Sequence, residues 1–440
     1  MAIPEIAAAL VDVFSSVAYR AARDSGFVQR QSKLTGEAFV QALTFGWLQN
    51  PRATLEELAQ AAASVGVSIT PQGLEQRFGS RAADCMQRVL REAVSRVLAA
   101  DPVATRVLQR FAGGVCLLDS TTITLPDALA THWPGCGGSG PTDGQAAVKV
   151  LARWNLLNGE LHGPFLHAGH VADQAGERDL KPLPAGTLRL ADLGFFSLER
   201  FQEFNAQGVY WLTRVQPGTV VYDVAQTACS LADMLRRQAA AVVDLSVALG
   251  VAQRLPCRLI AVRVPDHVAE KRRERLRRRQ KRKGRQYRNR DPWVLAEWTV
   301  FATNVPGELL SVDEALVLGR CRWQIELLWK LWKSEGVIDE SRSTKPWRVL
   351  TEVYAKLLGM VVQHWILLTS CWSFQDRSLV KASRLVRAHA LNLAMVLPHR
   401  QLVRQTLQTL QRLLQRGSRI GKRKPRPPNH ELLRSFDEAA

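Results

Sequence analysis

Two short, largely apolar runs that each end on an aspartate set the narrowest limits on how this chain folds. Residues 115–118 read Val-Cys-Leu-Leu before Asp119, and residues 188–191 read Leu-Arg-Leu-Ala before Asp192. A carboxylate that closes such a strand is costly unless it meets a cation or a hydrogen-bond donor. Both runs lie in a segment that is strand-like at 115–125, 146–157, 161–172 and 187–196. A helical stretch at 198–207 and a further strand at 209–215 follow. Several strands and then a helix–strand unit predict an α/β core built on a mixed sheet.

Residues 1–100 read as helical, with Leu43, Trp47, Leu48, Leu55, Leu58 and Ala59 at helical spacings. Thr54 and Glu57 form a capping box, and Thr70-Pro71 supplies a second N-cap with proline at the first helical position. Helix, short turn, helix fits either a DNA-reading helix-turn-helix or a plain helical hairpin. In the first case Gln72, Glu75, Gln76 and Arg77 face the groove. Residues 216–306 form a second strand-rich block, and one helix is expected over 311–335. Further amphipathic stretches follow at 347–371, 378–397 and 400–416. The tail at 417–440 opens with a basic, proline-rich stretch and is expected to be disordered. The domain reading is therefore 1–100 helical, 101–215 first part of the core, 216–306 insertion, 307–346 core helix, 347–416 C-terminal helices and 417–440 tail.

Charge narrows the partner. Lys and Arg number 59 against 40 Asp and Glu, a net +19. Residues 267–290 alone hold 13 Lys/Arg and two Glu, a net +11. An excess of this size points to a polyanion, most often nucleic acid. Because so much of the charge sits in one stretch, phosphate contact is favoured there over a solvated loop. The apolar fraction of 46% is that of a globular protein. Seven scattered cysteines without a CxxC pair exclude a zinc ribbon and point to a reducing compartment. The N-terminus carries Glu5 and Asp12 and no basic region, so no signal peptide is expected. The longest uncharged run, 357–375, contains Gln363, His364, Thr369 and Ser370 and reads as a buried helix rather than a membrane span.

Glu326 is the third acid that stands out, amid Trp323, Ile325, Leu327 and Leu328. Each acid alone has an ordinary explanation, as a loop cap or an i,i+4 ion pair. Arg322, Glu326, Lys330 and Lys333, however, fall at roughly 0°, 40°, 80° and 20° around a helix. An acid flanked by cations, together with two strand-end aspartates, meets the needs of metal-assisted phosphoryl transfer. The GCGGSG sequence at 135–140 follows Pro134 rather than a strand, so it is not a dinucleotide-binding turn.

These residues carry a resemblance. The chain is similar to the DDE transposases of the IS4 type, from bacterial insertion sequences. Their signature is Tyr, two residues, Arg, three residues, Glu, six residues, Lys, and here Arg322, Glu326 and Lys333 keep that spacing. Gly319 stands where the family has Tyr. Segments around Asp119 (LLDST), Asp192 (LADLGFFS) and 301–306 (FATNVP) match the other signature regions in order.

The resemblance implies an RNase H-like catalytic core with a strand-rich insertion, flanked by N-terminal and C-terminal helical regions. It implies that Asp119, Asp192 and Glu326 hold two Mg²⁺ ions, for which Mn²⁺ can substitute. Arg322, Lys330 and Lys333 would hold phosphates, and Trp298 would stack on a flipped base or serve as a core residue. The implied activity is cleavage and transfer of DNA at terminal inverted repeats, by a homodimer in the bacterial cytoplasm. A domesticated DNA-binding relative and a nuclease without strand transfer are the alternatives. Another side chain, Arg320 for one, would have to replace the missing Tyr.

Overall fold

The computed structural model describes residues 3–30, 32–137, 145–283, 291–372, 376–421 and 427–438. The chain divides into two compact units. The first comprises Met1–Val103, Asp119–Ala172 and Gln324–Pro427, and the second Ala104–Leu118, Asp173–Trp323 and Pro428–Ala440.

The first unit is built around the helix Pro346–Leu368, whose residues from Val349 to Leu368 are all buried. A helix apolar on every side belongs in the middle of a core. It packs against the N-terminal helices Ser80–Ser95 and Gly36–Gln49, so helices from both ends of the chain share one core. Its few charges are satisfied internally. Lys356 Nζ lies 2.7 Å from Glu352 and donates to the Val337 and Glu340 carbonyls at 2.9 and 2.8 Å. Among the described residues no helix is long and apolar enough to cross a membrane.

The caps expected near residue 55 are present. Glu57 N donates to Thr54 Oγ1 while Thr54 N donates back to Glu57 Oε2, opening the helix Leu55–Ser64. Thr70 caps Pro71–Glu75 through the Gly73 amide. This second helix has only five residues. Its Glu75 is held by Lys345 at 2.6 Å and Arg348 at 2.7 Å, which takes one expected groove contact out of reach.

Strand β1 (Val115–Leu125) runs through both units, its first four residues in the second and the rest in the first. In the first unit the strand order is β3 (Leu161–Ala168), β2 (Ala146–Asn155), β1. In the second, β1 is followed by β4 (Leu188–Ala191) and β5 (Tyr210–Thr213), all parallel. The order continues antiparallel through β10 (Trp298–Thr303), β9 (Leu255–Arg263), β8 (Val242–Leu249), β6 (Val220–Tyr222) and β7 (Ala228–Ser230). The second unit is thus a mixed sheet with helices, as the strand pattern predicted. The strand-rich block from 216 onward extends that sheet, since β10 pairs directly with β5.

Three expectations change. The single helix over 311–335 is two, Val312–Cys321 and Trp323–Ser334, with Arg322 between them. The expected strand at 187–196 stops at Ala191, because Asp192 caps a short 3₁₀ turn through the Gly194 amide at 2.8 Å. The tail is not wholly loose. Asn429–Glu438 is a helix that packs on Val312–Cys321 and Arg106–Gln109, with Leu433 buried and Asp437 accepting from the Arg106 amide. Leu432, Leu433 and Phe436 give it an apolar stripe that a reading of basic composition overlooks. Residues 138–140 of the glycine-rich stretch, 284–290 of the basic run and 422–426 of the tail lie outside the described residues.

Candidate active site

Asp119 is the fifth residue of β1 rather than its last. Residues 115–118 are buried, and from Asp119 to Thr121 the strand is half-buried. Burial, not the end of the strand, is what changes at this carboxylate. Its Oδ1 accepts from the Ser120 amide at 2.9 Å. Glu326 lies in the first turn of Trp323–Ser334. That helix buries Ile325, Leu328, Trp329, Leu331 and Trp332, which turns Glu326, Lys330 and Lys333 to another face. Lys333 Nζ reaches the Thr122 carbonyl of β1 at 3.4 Å and Asp339 at 3.5 Å. The first unit therefore brings the Glu326 helix alongside the strand that carries Asp119.

Asp192 belongs to the second unit, where it lines a cleft of 140 Å³ with Arg322, Arg214, Phe301 and Gly319. This is the C-terminal end of β4, next to parallel β5. Beneath it lies a buried ion pair. Arg189 on β4 meets Glu177 of the helix Asp173–Arg178 through two bonds, at 2.5 and 2.6 Å, and reaches the Phe195 carbonyl at 3.4 Å. Gln174 donates to the Phe196 carbonyl at 2.5 Å. The turn behind Asp192 is thus held from two points of one short helix. Among the described residues, no three His, Cys, Asp or Glu side chains are gathered closely enough to hold a metal ion.

Gly319 has a concrete cause. A Cβ there would come within 2.3 Å of the Phe301 ring, which is too close for any side chain. The Phe301 ring of β10 fills the space that a side chain on Gly319 would need, so the glycine and the phenylalanine go together.

Trp298 is a core residue. It is 3% exposed, lies in the apolar cluster of the second unit, and the Arg263 guanidinium covers its ring at 4.7 Å. The base-stacking role expected of it has no open ring face. Trp323, beside Arg322, is instead 46% exposed. The 301–306 element is a strand clasp. Asn304 accepts from the Trp211 amide and donates to the Val209 carbonyl, while Thr303 Oγ1 donates to the Trp211 carbonyl.

Residues 267–283 of the expected basic run belong to the helix Asp266–Lys283. One side faces the sheet. Ala269 is buried there, and Arg272 donates to the Trp298 carbonyl at 2.7 Å and to Thr299 at 3.0 Å. Burial, and then the neighbouring Arg214, hold the Arg272 pKa below the usual arginine range. Arg273 pairs with Glu297 at 2.5 Å. Lys271, Arg275, Arg279 and Arg282 are exposed and recur at helical spacing, giving a cationic stripe.

Residues 110–361, more than half of the chain, match the family described as Transposase DDE domain. The chain belongs to the DDE transposase family. All three acids and the Arg-Glu-Lys helix fall inside the matched segment. This transposase is similar to the transposase for insertion sequence element IS231F of Bacillus thuringiensis subsp. israelensis, at 25% identity over 431 residues, covering 90% of this chain and 88% of that one. It is also similar to the transposase for insertion sequence element IS1151 of Clostridium perfringens, at 23% identity over 387 residues, covering 79% and 77%. The family depends on a divalent metal. The contacts that sequence reasoning missed in this transposase are Phe301 against Gly319 and the Glu177–Arg189 pair. An arginine inside an apolar strand was the available signal for the second.

Proposed function

We propose that this DDE transposase binds the terminal inverted repeats of its insertion sequence and cuts and joins DNA there by direct phosphoryl transfer, in cut-and-paste fashion. The observation that carries the reading is the Asp192 cleft at the end of a parallel strand. A carboxylate and Arg322 line it together, inside the segment that matches the DDE domain. The parallel set β1, β4 and β5, with Asp119 on the first and Asp192 just past the second, supports an RNase H-like core.

Asp119, Asp192 and Glu326 are the acids proposed to hold the metal. Carboxylates are the hard oxygen donors that Mg²⁺ takes, and Mn²⁺ accepts the same set. When bound, two such ions would supply positive charge for the attacking and leaving oxygens of an in-line displacement. The chain's own part is to hold the DNA. Arg322 presents a planar fork to a phosphate, and Lys330 and Lys333 add point charges from the Glu326 helix. The Lys333 contacts with Thr122 and Asp339 are long enough for a phosphate oxygen to displace them. Trp323 takes the stacking role, since a base–aromatic contact needs an exposed ring. The stripe Lys271, Arg275, Arg279 and Arg282 neutralises backbone farther along the duplex. Action as a homodimer on two DNA ends, in the bacterial cytoplasm, completes the reading.

The test uses end-labelled DNA bearing the element's terminal repeat, incubated with protein and Mg²⁺ or Mn²⁺, with products resolved under denaturing conditions. Nicked and joined products are expected from the natural chain. Asp119→Ala, Asp192→Ala and Glu326→Ala should each abolish them while DNA binding stays measurable. Cleavage that survived all three changes would sink the assignment. Cleavage without joined products would leave a nuclease.

A further inference from the structure

Most arginines of this chain whose contacts are described have an internal partner, as Arg52, Arg96, Arg110, Arg189, Arg258, Arg348 and Arg384 do. Arg30, Arg77 and Arg81 are among those without an ion pair, and they lie together. All three line one cleft of 540 Å³ in the first unit, with Phe27, Gln76 and Ser80 among the other walls. Among the described residues no carboxylate pairs with any of the three. The Arg77 guanidinium rests on the Phe27 ring at 5.0 Å, which fixes its plane. Its Nε is buried and has no hydrogen-bond partner among the described residues. An N–H left so costs about 1–3 kcal/mol, and buried donors are otherwise almost always satisfied.

The same cleft contains the start of the 16-residue helix Ser80–Ser95. That start has no side-chain cap and no acidic residue in its first turn. Its N-cap, Gly79, opens on empty space, with nothing within 4 Å of where a Cβ would stand. Unsatisfied amides and the positive end of a long helix lie beside three unpaired guanidinium groups. The ligand that answers both is an oxyanion with several acceptor atoms.

We infer that this cleft is a DNA backbone-phosphate site, held by Arg77 and Arg81 with Arg30 at its rim and the Ser80–Ser95 amides at its base. The inference rests on the DNA-binding reading above and changes how the N-terminal helices take part in it. The five-residue helix Pro71–Glu75 does not act as a base-reading helix, with Glu75 locked by Lys345 and Arg348. Arg77, just beyond it, grips the backbone instead. Contacts of this kind fix register on the duplex and carry no sequence information.

The test is fluorescence anisotropy of the full-length chain on labelled duplexes, one bearing the terminal repeat and one scrambled, titrated with salt. The variants are Arg81→Gln, the double Arg77→Gln/Arg81→Gln and the charge-keeping Arg77→Lys. Arg81→Gln is expected to lower the slope of log affinity against log salt by about one, and the double variant by about two. Each lost contact should shrink the affinity loss between 50 and 200 mM salt about threefold. The weakening should be equal on both duplexes, and Arg77→Lys should retain most of the slope. Because Arg77 also packs on Phe27, melting temperatures are read alongside, and Arg81→Gln stands alone if the double variant melts early. An unchanged slope in Arg81→Gln, or a loss confined to the terminal repeat, would overturn the inference. If the natural chain bound neither duplex, the DNA-binding reading itself would fail.

Discussion

Replacing Arg189 by Met is the sharpest perturbation of the second unit. The guanidinium and the Glu177 carboxylate are 2% and 7% exposed, joined at 2.5 and 2.6 Å, and the arginine lies over Phe204 at 5.2 Å. Methionine keeps the packing volume but leaves the Glu177 carboxylate buried without its counter-charge. Breaking such a pair from one side costs about 3–5 kcal/mol, a large share of the ~5–15 kcal/mol that holds a typical domain. Glu177→Gln strands the arginine and should lie in the same range. The double change Arg189→Met/Glu177→Leu removes both charges and should recover most of the loss, because an apolar pair of similar volume replaces an ionic one at little net cost. Urea denaturation of the four proteins gives the coupling energy as a double-mutant cycle. Cleavage of end DNA separates stability from position. Arg189 also reaches the Phe195 carbonyl, three residues past Asp192, so the double variant should fold well yet cut slowly, with DNA affinity unchanged. Arg189→Met melting within 1 kcal/mol of the natural chain would refute the energetic reasoning. A double variant with full cleavage would refute the positioning.

Three further outcomes are expected. Gly319→Ala should destabilise by about 1–3 kcal/mol, since its Cβ would stand 2.3 Å from a ring that cannot fold away, and the ~1 kcal/mol gained in helix propensity does not offset that; a raised melting temperature would be incompatible with the Phe301 contact. His364 donates from Nε2 to the Gly159 carbonyl at 2.8 Å, and burial pushes its pKa down from 6.5 to about 4. The unfolded chain therefore takes up this proton first on acidification, so stability is full above pH 6.5 and falls by about 3 kcal/mol as the pH drops toward 4; denaturation midpoints of His364→Gln that followed the same acid slope would remove the histidine as its cause. Exchanging Lys271, Arg275, Arg279 and Arg282 for Gln should lower the salt slope of DNA binding by several units while leaving the fold intact, because the helix is anchored through its other side by Arg272 and Arg273; circular dichroism and anisotropy check the two halves.

What the sequence made legible was what neighbours along the chain decide. The capping box at Thr54 and Glu57, the N-cap at Thr70 and the first strand need only a few adjacent residues and are found as read, while the next two strands begin where they were read and end earlier, at Asn155 and Ala168. The strand ending at Ala191 was read too long, because the Asp192 side chain turns the backbone and its apolar followers, Leu193, Phe195 and Phe196, look like more strand. The break at Arg322 leaves no trace in a continuous helical pattern. Partners distant in sequence were out of reach. Arg189 in β4 gives no hint that its carboxylate lies 12 residues upstream, and the glycine at 319 reads as a loss until the Phe301 ring is seen against it. Trp298 carried two readings of equal standing, and only burial decides between them.

The net charge of +19 is likewise divided by structure rather than composition. Within the Asp266–Lys283 helix, Arg272 and Arg273 serve the fold, one by bonding strand carbonyls and the other by pairing with Glu297. Lys271, Arg275, Arg279 and Arg282 face solvent. An arginine that already has a carboxylate must lose it to take a phosphate, and that exchange returns little free energy. One without a carboxylate partner has no such exchange to make. By this measure Arg77 is a stronger DNA ligand than Arg273, Arg277 or Arg278 of the far more basic run, which hold Glu297, Glu270 and Glu274, although it adds a single charge to the total. The order of effect on affinity should follow that distinction. Per residue replaced, Arg77→Gln should cost more binding free energy than any one of the four stripe residues. Equal losses, as expected if only net charge mattered, would show that the number of these cations carries the effect and their partners none.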